Sequence, residues 1–197
     1  MYAGLLLLLS SYILGSVPFG VVIARLKGVD LKKIGSGNIG ATNVLRGVGK
    51  AAALFTLLGD SLKGAAAALA ARRLGFDVPW QGLAGLCAVL GHNFSIFLGG
   101  RGGKGVATSL GVVAVLSPLA ALFSIGCWLA VAFLTRYSSL AALTAFVLLP
   151  LFILGTGAGG KGVALTAAAL ALLILLRHAG NIKRLLEGRE RRIGEKT

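Results

Sequence analysis

A chain of 197 residues that is 56% hydrophobic and only 13% charged cannot clothe a soluble fold in an ordinary solvated surface. Its formal net charge of +14 would suggest nucleic acid in a soluble protein. Here the basic residues are dispersed over loops without aromatic interleaving, so that partner class is set aside. Apolar stretches recur at Met1–Leu26 (interrupted only by Arg25), Val78–Gly100, Gly105–Thr135 and Tyr137–Gly160. Their lengths suit a hydrocarbon core about 30 Å thick, and the expected class is an all-α integral membrane protein.

In chain order, spans are expected near residues 3–24, 51–71, 79–98, 105–118, 119–135, 139–155 and 162–177, forming one polytopic domain over 1–197. No basic segment precedes the first apolar run, so it reads as a retained span rather than a cleaved signal. Gly105–Thr135 is 31 residues without a charge and is read as two short helices broken at Ser117-Pro118. Charge bias favours the break. With seven spans and the N-terminus outside, one side carries Arg25, Lys27, Lys32, Lys33, Arg46, Lys50, Arg101, Lys104, Arg136, Arg177, Lys183, Arg184, Arg189, Arg191, Arg192 and Lys196. The other carries only Arg72, Arg73 and Lys161, while Lys63 lies inside a span. Six spans would separate the first loop from the basic tail and break the positive-inside rule at one of them. The expectation is therefore seven transmembrane helices with a cytoplasmic C-terminus and glycine-rich cytoplasmic loops forming the site. The Lys183–Arg192 tail would also lie against anionic headgroups.

The first cytoplasmic loop, Gly35–Arg46, reads GSGNIGATNVLR. Ser36 and Thr42 offer O–H donors, Asn38 and Asn43 offer N–H donors, and Arg46 can pair with a phosphate through two bonds, while Gly37 and Gly40 supply the turn. The alternative is a turn-rich loop whose serines and asparagines cap helices. Asp60 and Lys63 share one face of the second span at i, i+3; they are read as mutual partners or as a strut reaching the phosphate loops. His92 stands at the entry to Gly91–Thr108, GHNFSIFLGGRGGKGVAT, and fits either a structural or a functional histidine.

Within that segment Gly99, Gly100, Gly102, Gly103 and Gly105 free the backbone to turn N–H groups toward one point, and Arg101 and Lys104 add cations ahead of a helix start. A tight membrane hairpin with cytoplasmic cations is the plainer alternative. Arg136-Tyr137-Ser138-Ser139 forms a turn able to lend a hydroxyl. Gly159–Ala164 repeats the wording of Gly102–Ala107 but falls on the opposite side, as an ordinary turn with a snorkelling lysine. His178 and Asn181, at i, i+3 beside cations, suit phosphate coordination; an interfacial amphipathic helix explains the same residues and both readings are compatible. Cys87 and Cys127 lack metal or redox spacing and read as small buried apolar residues.

Three segments carry a family resemblance: Gly35–Arg46, Gly91–Thr108, and H-x-x-N-I-x-R-x-x-x-G-x-E at His178–Glu190. In this order they resemble the signature segments of the PlsY family, bacterial membrane acyltransferases that move a fatty acyl group from acyl phosphate to glycerol 3-phosphate, giving lysophosphatidate. The resemblance implies an inner-membrane location beside membrane lipid and a soluble PlsX-type synthase as source of the donor. It implies no direct use of acyl-CoA or acyl carrier protein. Lys104, His178, Asn181, Arg46 and His92 are the expected catalytic residues. Ser36, Gly37, Asn38, Gly40, Thr42, Asn43, Arg101, Gly102, Gly103, Gly105, Thr108 and Ser139 are the expected substrate contacts. Ala142 departs from the pattern, where another small hydroxyl residue is expected.

No cofactor or metal is expected, because the acyl phosphate carries its own leaving group. The H-x-x-x-x-D arrangement of other glycerolipid acyltransferases is missing, since Phe97 follows His92 and Lys183 follows His178 at that spacing. Catalysis by positioning is the expectation, with phosphates held by Lys104, Arg46 and glycine-loop N–H groups. An anion transporter is the alternative from another class, but such proteins place their ionisable groups near the midplane and here only Asp60 and Lys63 lie deep. A headgroup-binding scaffold leaves the donor-rich first loop unexplained.

Overall fold

The computed structural model describes residues 2–157 and 160–195, and every regular element among them is helical. Met1, Gly159 and Lys196 of the sequence reading lie outside the described residues. The first apolar run is two helices, α1 (Tyr2–Ser16) and α2 (Phe19–Leu26). Pro18 lacks the N–H that would continue the ladder, so the chain breaks at Val17-Pro18 and leaves a carbonyl to be satisfied elsewhere. After the first loop come α3 (Ala41–Gly47), α4 (Lys50–Arg73) and α5 (Val78–Asn93). The start of α5 is fixed by the Asp77 carboxylate, which accepts from Trp80 N at 3.2 Å, and by Pro79 in the first turn.

Gly105–Thr135 is indeed two helices, α6 (Val106–Leu116) and α7 (Pro118–Thr135), parted at Ser117. Then follow α8 (Ser138–Thr156), α9 (Gly160–Arg177) and the short α10 (Ala179–Leu186). Among the described residues six segments are long and apolar enough to cross a bilayer: Tyr2–Leu26, Lys50–Arg73, Val78–Leu98, Pro118–Thr135, Ser138–Thr156 and Gly160–Arg177. The eleven residues of α6 rise only about 16 Å.

Large apolar side chains such as Leu6, Phe133 and Leu134 face outward, as a lipid-solvated surface requires, while small residues bring the helices together. A Cβ at Gly64 would overlap the Thr108 carbonyl, and one at Gly111 would overlap the Ser61 carbonyl, so α4 and α6 touch backbone to backbone. Gly15 and Gly91 do the same between α1 and α5. Val89, Val112, Phe146, Leu149, Leu170 and Ile174 fill the core between α5, α6, α8 and α9. Cys87 and Cys127 are free and only half-buried, a correction to their reading as buried residues.

Arg72, on the poorly charged end, bonds the Val115 carbonyl and the Gln81 amide oxygen, so α4 and α6 end near one another. Because Ser61 and Gly64 lie level with Thr108 and Gly111, α6 begins about 13 Å further along the bundle than α4 does. The glycine turn that precedes α6 is therefore recessed. Overpacking of a tight contact costs about 1–3 kcal/mol. Gly64→Val and Gly111→Val are expected to lower the melting midpoint in detergent by several degrees, whereas Gly155→Ala, at a position open on all sides, leaves it unchanged.

Candidate active site

The first loop is held by its own polar side chains. Asn43 is buried; its amide oxygen accepts from Ser36 N at 3.0 Å, and its amide nitrogen donates to the carbonyls of Leu31 and Ile34 at 3.3 and 3.1 Å. The Ser36 hydroxyl accepts from Asn38 N at 3.4 Å, and the Asn38 side chain accepts from Gly40 N at 2.9 Å, at the start of α3. Gly37 takes positive φ in this turn. Asn38 and Asn43 thus shape the loop. Thr42 shares a hydrogen bond with Ser138 at 3.0 Å, which ties the loop to the start of α8. Arg46 donates to the carbonyls of Arg191 and Arg192 at 3.4 and 3.2 Å, while its Nε is buried without a protein partner.

The glycine turn folds back on the end of α5. Gly102 N donates to the Asn93 carbonyl at 3.1 Å and Gly103 N to the His92 carbonyl at 2.9 Å. These two N–H groups are committed internally, which corrects the expectation that they are free for phosphate. Gly99, Gly100 and Gly105 adopt positive φ; Gly102 and Gly103 do not, and are glycines because a Cβ would strike the backbone or ring of His92. On its other side the turn is clamped by Arg177, whose Nε and Nη2 donate to the Gly103 carbonyl at 3.1 and 3.0 Å and whose Nη2 reaches Gly102 O at 3.2 Å. The N–H groups in the first turn of α6, beyond Gly105, have no partners within their own helix. Thr108 is buried there with an unpartnered hydroxyl, and Asn93 with an unpartnered amide.

Lys104 leaves this turn toward a group of cations. Burial pushes its ammonium down to about 8; the Glu190 carboxylate opposes that shift, and Arg184, Arg46 and Arg177 reinforce it. Glu190 is the acid at the centre. Its carboxylate accepts from the Ser139 hydroxyl at 2.7 Å, the Asn181 amide at 2.6 Å and Arg184 Nε at 2.7 Å. Burial raises its pKa, but those three donors and the Arg184 charge outweigh burial and hold it below the ordinary range.

His178 is buried just before α10, with Nδ1 2.8 Å from the Ile174 carbonyl. Burial first, and then the Lys104 charge, pushes it down to about 4. The C-terminal segment closes over these groups: Ile193 N donates to the Arg136 carbonyl at 2.6 Å, Arg136 donates back to Ile193 O at 2.9 Å, and Arg192 stacks on Tyr137.

The chain thus brings Arg46, Lys104, His178, Asn181 and Ser139 around one carboxylate. Arg101 is exposed and stands apart from them, and His92 lies beneath the glycine turn, bonded to Lys63 at 2.8 Å. Sequence reasoning omitted Arg177, Arg184 and Glu190 from the site. Their signal was the acid that ends the third segment, set among basic residues just after the last span.

A polytopic membrane protein whose helix ends gather cations and neutral donors into one anion centre is the class these observations define. The sequence model of the glycerol-3-phosphate acyltransferase family matches residues 5–188, and the chain belongs to that family. It is 54% identical to the glycerol-3-phosphate acyltransferase of Aromatoleum aromaticum, covering 96% of each chain. It is 49% identical to that of a Thermus thermophilus strain, covering 100% of this chain and 98% of the relative. The crystal structure of PlsY (YgiH), an integral membrane glycerol 3-phosphate acyltransferase, in its glycerol 3-phosphate form superposes with a TM-score of 0.92 at 46% identity, covering 98% of this chain and 96% of that one. The lysophosphatidic acid form of that protein gives a TM-score of 0.91.

The depressed pKa of His178 has a consequence for stability. The unfolded chain takes up the proton near 6.5 while the folded site resists it down to about 4, so the contribution is complete above 6.5 and is lost as pH falls toward 4. The melting midpoint is expected to drop across that window, and His178→Gln to make the drop shallower in parallel melting curves.

Proposed function

We propose that the chain transfers a fatty acyl group from acyl phosphate to glycerol 3-phosphate, releasing lysophosphatidate and inorganic phosphate, as a multi-pass protein of the bacterial inner membrane. Membership of the glycerol-3-phosphate acyltransferase family supports the acceptor, and its relatives' glycerol 3-phosphate and lysophosphatidic acid forms support substrate and product. The observation that carries the reading is the Glu190 carboxylate held by Ser139, Asn181 and Arg184 within the field of Lys104 and Arg46. A site that holds one anion this way has the donors for phosphate oxygens.

Seven crossings, counting the short α6, put the three donor segments and the C-terminus on the cytoplasmic side and the N-terminus outside. The agreement of that count with the distribution of basic residues supports it. A soluble PlsX-type synthase would then deliver the acyl phosphate to this face.

In the reaction a hydroxyl of glycerol 3-phosphate attacks the acyl carbonyl carbon, the new ester C–O bond forms, and the bond from that carbon to the phosphate oxygen breaks. Lys104 and Arg46 hold the anionic oxygens and offset the charge that develops on the departing phosphate. His178 gives its Nδ1 proton to the Ile174 carbonyl, which leaves Nε2 as a lone pair able to accept from the attacking hydroxyl. A histidine depressed to about 4 is a weak base, so it orients the hydroxyl while the leaving phosphate oxygen takes up the proton. Ser36, Thr42 and Ser139 add hydroxyls to the rim, Asn181 adds an amide, and Asn38 and Asn43 set the loop. Thr108 offers its hydroxyl near the start of α6, and Arg101 contributes long-range charge from outside the cluster.

Purified protein in lipid, given labelled glycerol 3-phosphate, is expected to form lysophosphatidate with acyl phosphate and not with acyl-CoA or acyl carrier protein. Phosphate crossing sealed vesicles with no product would instead make it a transporter. A charge-assisted hydrogen bond contributes about 1.5–3 kcal/mol, so Lys104→Ala should lower kcat/KM roughly 10- to 100-fold. Because Lys104 loses its charge near pH 8, the KM for glycerol 3-phosphate should rise as pH passes upward through that value, and Lys104→Arg should flatten the rise.

A further inference from the structure

Beneath the glycine turn lies a buried polar group that the proposed reaction does not use directly. Lys63 Nζ stands 2.9 Å from the Val17 carbonyl, 2.9 Å from Asp60 Oδ1 and 2.8 Å from His92 Nδ1. All three side chains are nearly excluded from the surface, with relative exposures of 3% for Asp60, 2% for Lys63 and 4% for His92. An ammonium has three N–H donors and no lone pair. The Val17 carbonyl and His92 Nδ1 accept two of these protons while the Asp60 carboxylate pairs with the charge, so His92 Nδ1 is the lone pair and the ring proton resides on Nε2. Asp60 Oδ1 is 3.5 Å from Nδ1 and does not compete for that position.

The other edge of the ring faces the turn: a Cβ on Gly103 would overlap His92 Nε2. Lys104 follows Gly103 directly. The other histidine is held the opposite way. His178 Nδ1 lies 2.8 Å from a carbonyl, which can only accept, so its proton is on Nδ1 and its lone pair on Nε2.

We propose that Asp60 and Lys63 are positioning residues that hold His92 as its Nε2–H tautomer, making it an N–H donor beneath the glycine turn for an anionic substrate oxygen rather than a proton acceptor. The inference rests on reading that turn as part of the phosphate site. A buried ion pair is a poor source of net stability against an apolar replacement. Fixing a ring tautomer under a ligand-binding turn is a task that an apolar pair cannot perform. The pair sits on α4, the ring on α5 and the carbonyl at the α1–α2 break, so one ammonium sets the relation of three segments to the turn.

The chain has two histidines, so ¹⁵N-histidine NMR of the full-length protein in lipid at pH 7 reads both tautomers at once, with His178→Gln assigning the signals. The expected spectrum has one histidine of each neutral tautomer, His92 being the Nε2–H form. Lys63→Met should release His92 into tautomer exchange and leave His178 unmoved. In kinetics Lys63→Met and Asp60→Asn should each lower kcat/KM about 10-fold or more, and adding His92→Gln to either should bring little further loss, since residues acting through one another are not additive. A wild-type His92 found as Nδ1–H or as imidazolium would overturn the proposal, and that measurement needs no variant to fold. Losses that multiply in the double variants, or a His92 signal indifferent to Lys63→Met, would overturn it equally. The tautomer result is independent of turnover, so a protein with the expected spectrum and no transfer to glycerol 3-phosphate would instead refute the functional reading.

Discussion

A charged amine inside an apolar bundle needs partners for its protons and its charge, and Lys63 finds them on three different stretches of chain. At the Pro18 break the Val17 carbonyl accepts from Phe19 N at 3.2 Å and from Lys63 Nζ at 2.9 Å. Asp60, one turn away, balances the charge, and His92 Nδ1 accepts a hydrogen bond from the ammonium. Each part answers a need created by another. Removing the proline break would close off the carbonyl; removing the carboxylate would leave an uncompensated cation; removing the ring would leave the glycine turn resting on a gap.

The second constraint is steric. Gly102 and Gly103 lie so close to the end of α5 that a methyl group has no room, and Arg177 presses on their carbonyls from the opposite side. The turn is therefore clamped between a ring and a guanidinium before any substrate arrives. The fold itself orders the turn, whose Gly102 and Gly103 N–H groups are already bonded to the end of α5. The carboxylate of Glu190 extends the same logic to the outer layer, because it keeps Asn181, Ser139 and Arg184 oriented amid like charges that would otherwise splay apart.

Much of this was legible in the residues. Hydropathy gave the helices, Ser117-Pro118 gave the division of a long apolar run, and the crowding of glycine with small donors marked the loops. The i, i+3 spacing of Asp60 and Lys63 announced an ion pair and left open a link to the loops; the structure contains both. What stayed hidden depends on distance in space rather than along the chain. No local pattern says that the carbonyl before Pro18 will meet a lysine 46 residues later, or that Arg177 will grip the backbone 74 residues behind it. The role of Asn43 was misjudged for a related reason. Donor-rich loops look alike whether their donors turn inward to the backbone or outward to a ligand, and here the Asn43 amide nitrogen turns inward.

The recessed start of α6 bears on how a lipid reaction can be run by so small a protein. A fatty chain is most stable with its tail in hydrocarbon, and drawing it upward to meet water-borne chemistry would cost about 0.8 kcal/mol per methylene exposed. Here the glycine turn comes down instead, roughly 13 Å along the bundle from the start of α4. With the turn as part of the proposed phosphate site, reactant and product tails would enter and leave sideways at their resting depth, and only the small polar acceptor would have to travel. That division of labour would spare the protein a carrier cavity or a moving lid, and it fits a chain of 197 residues built almost wholly from helices.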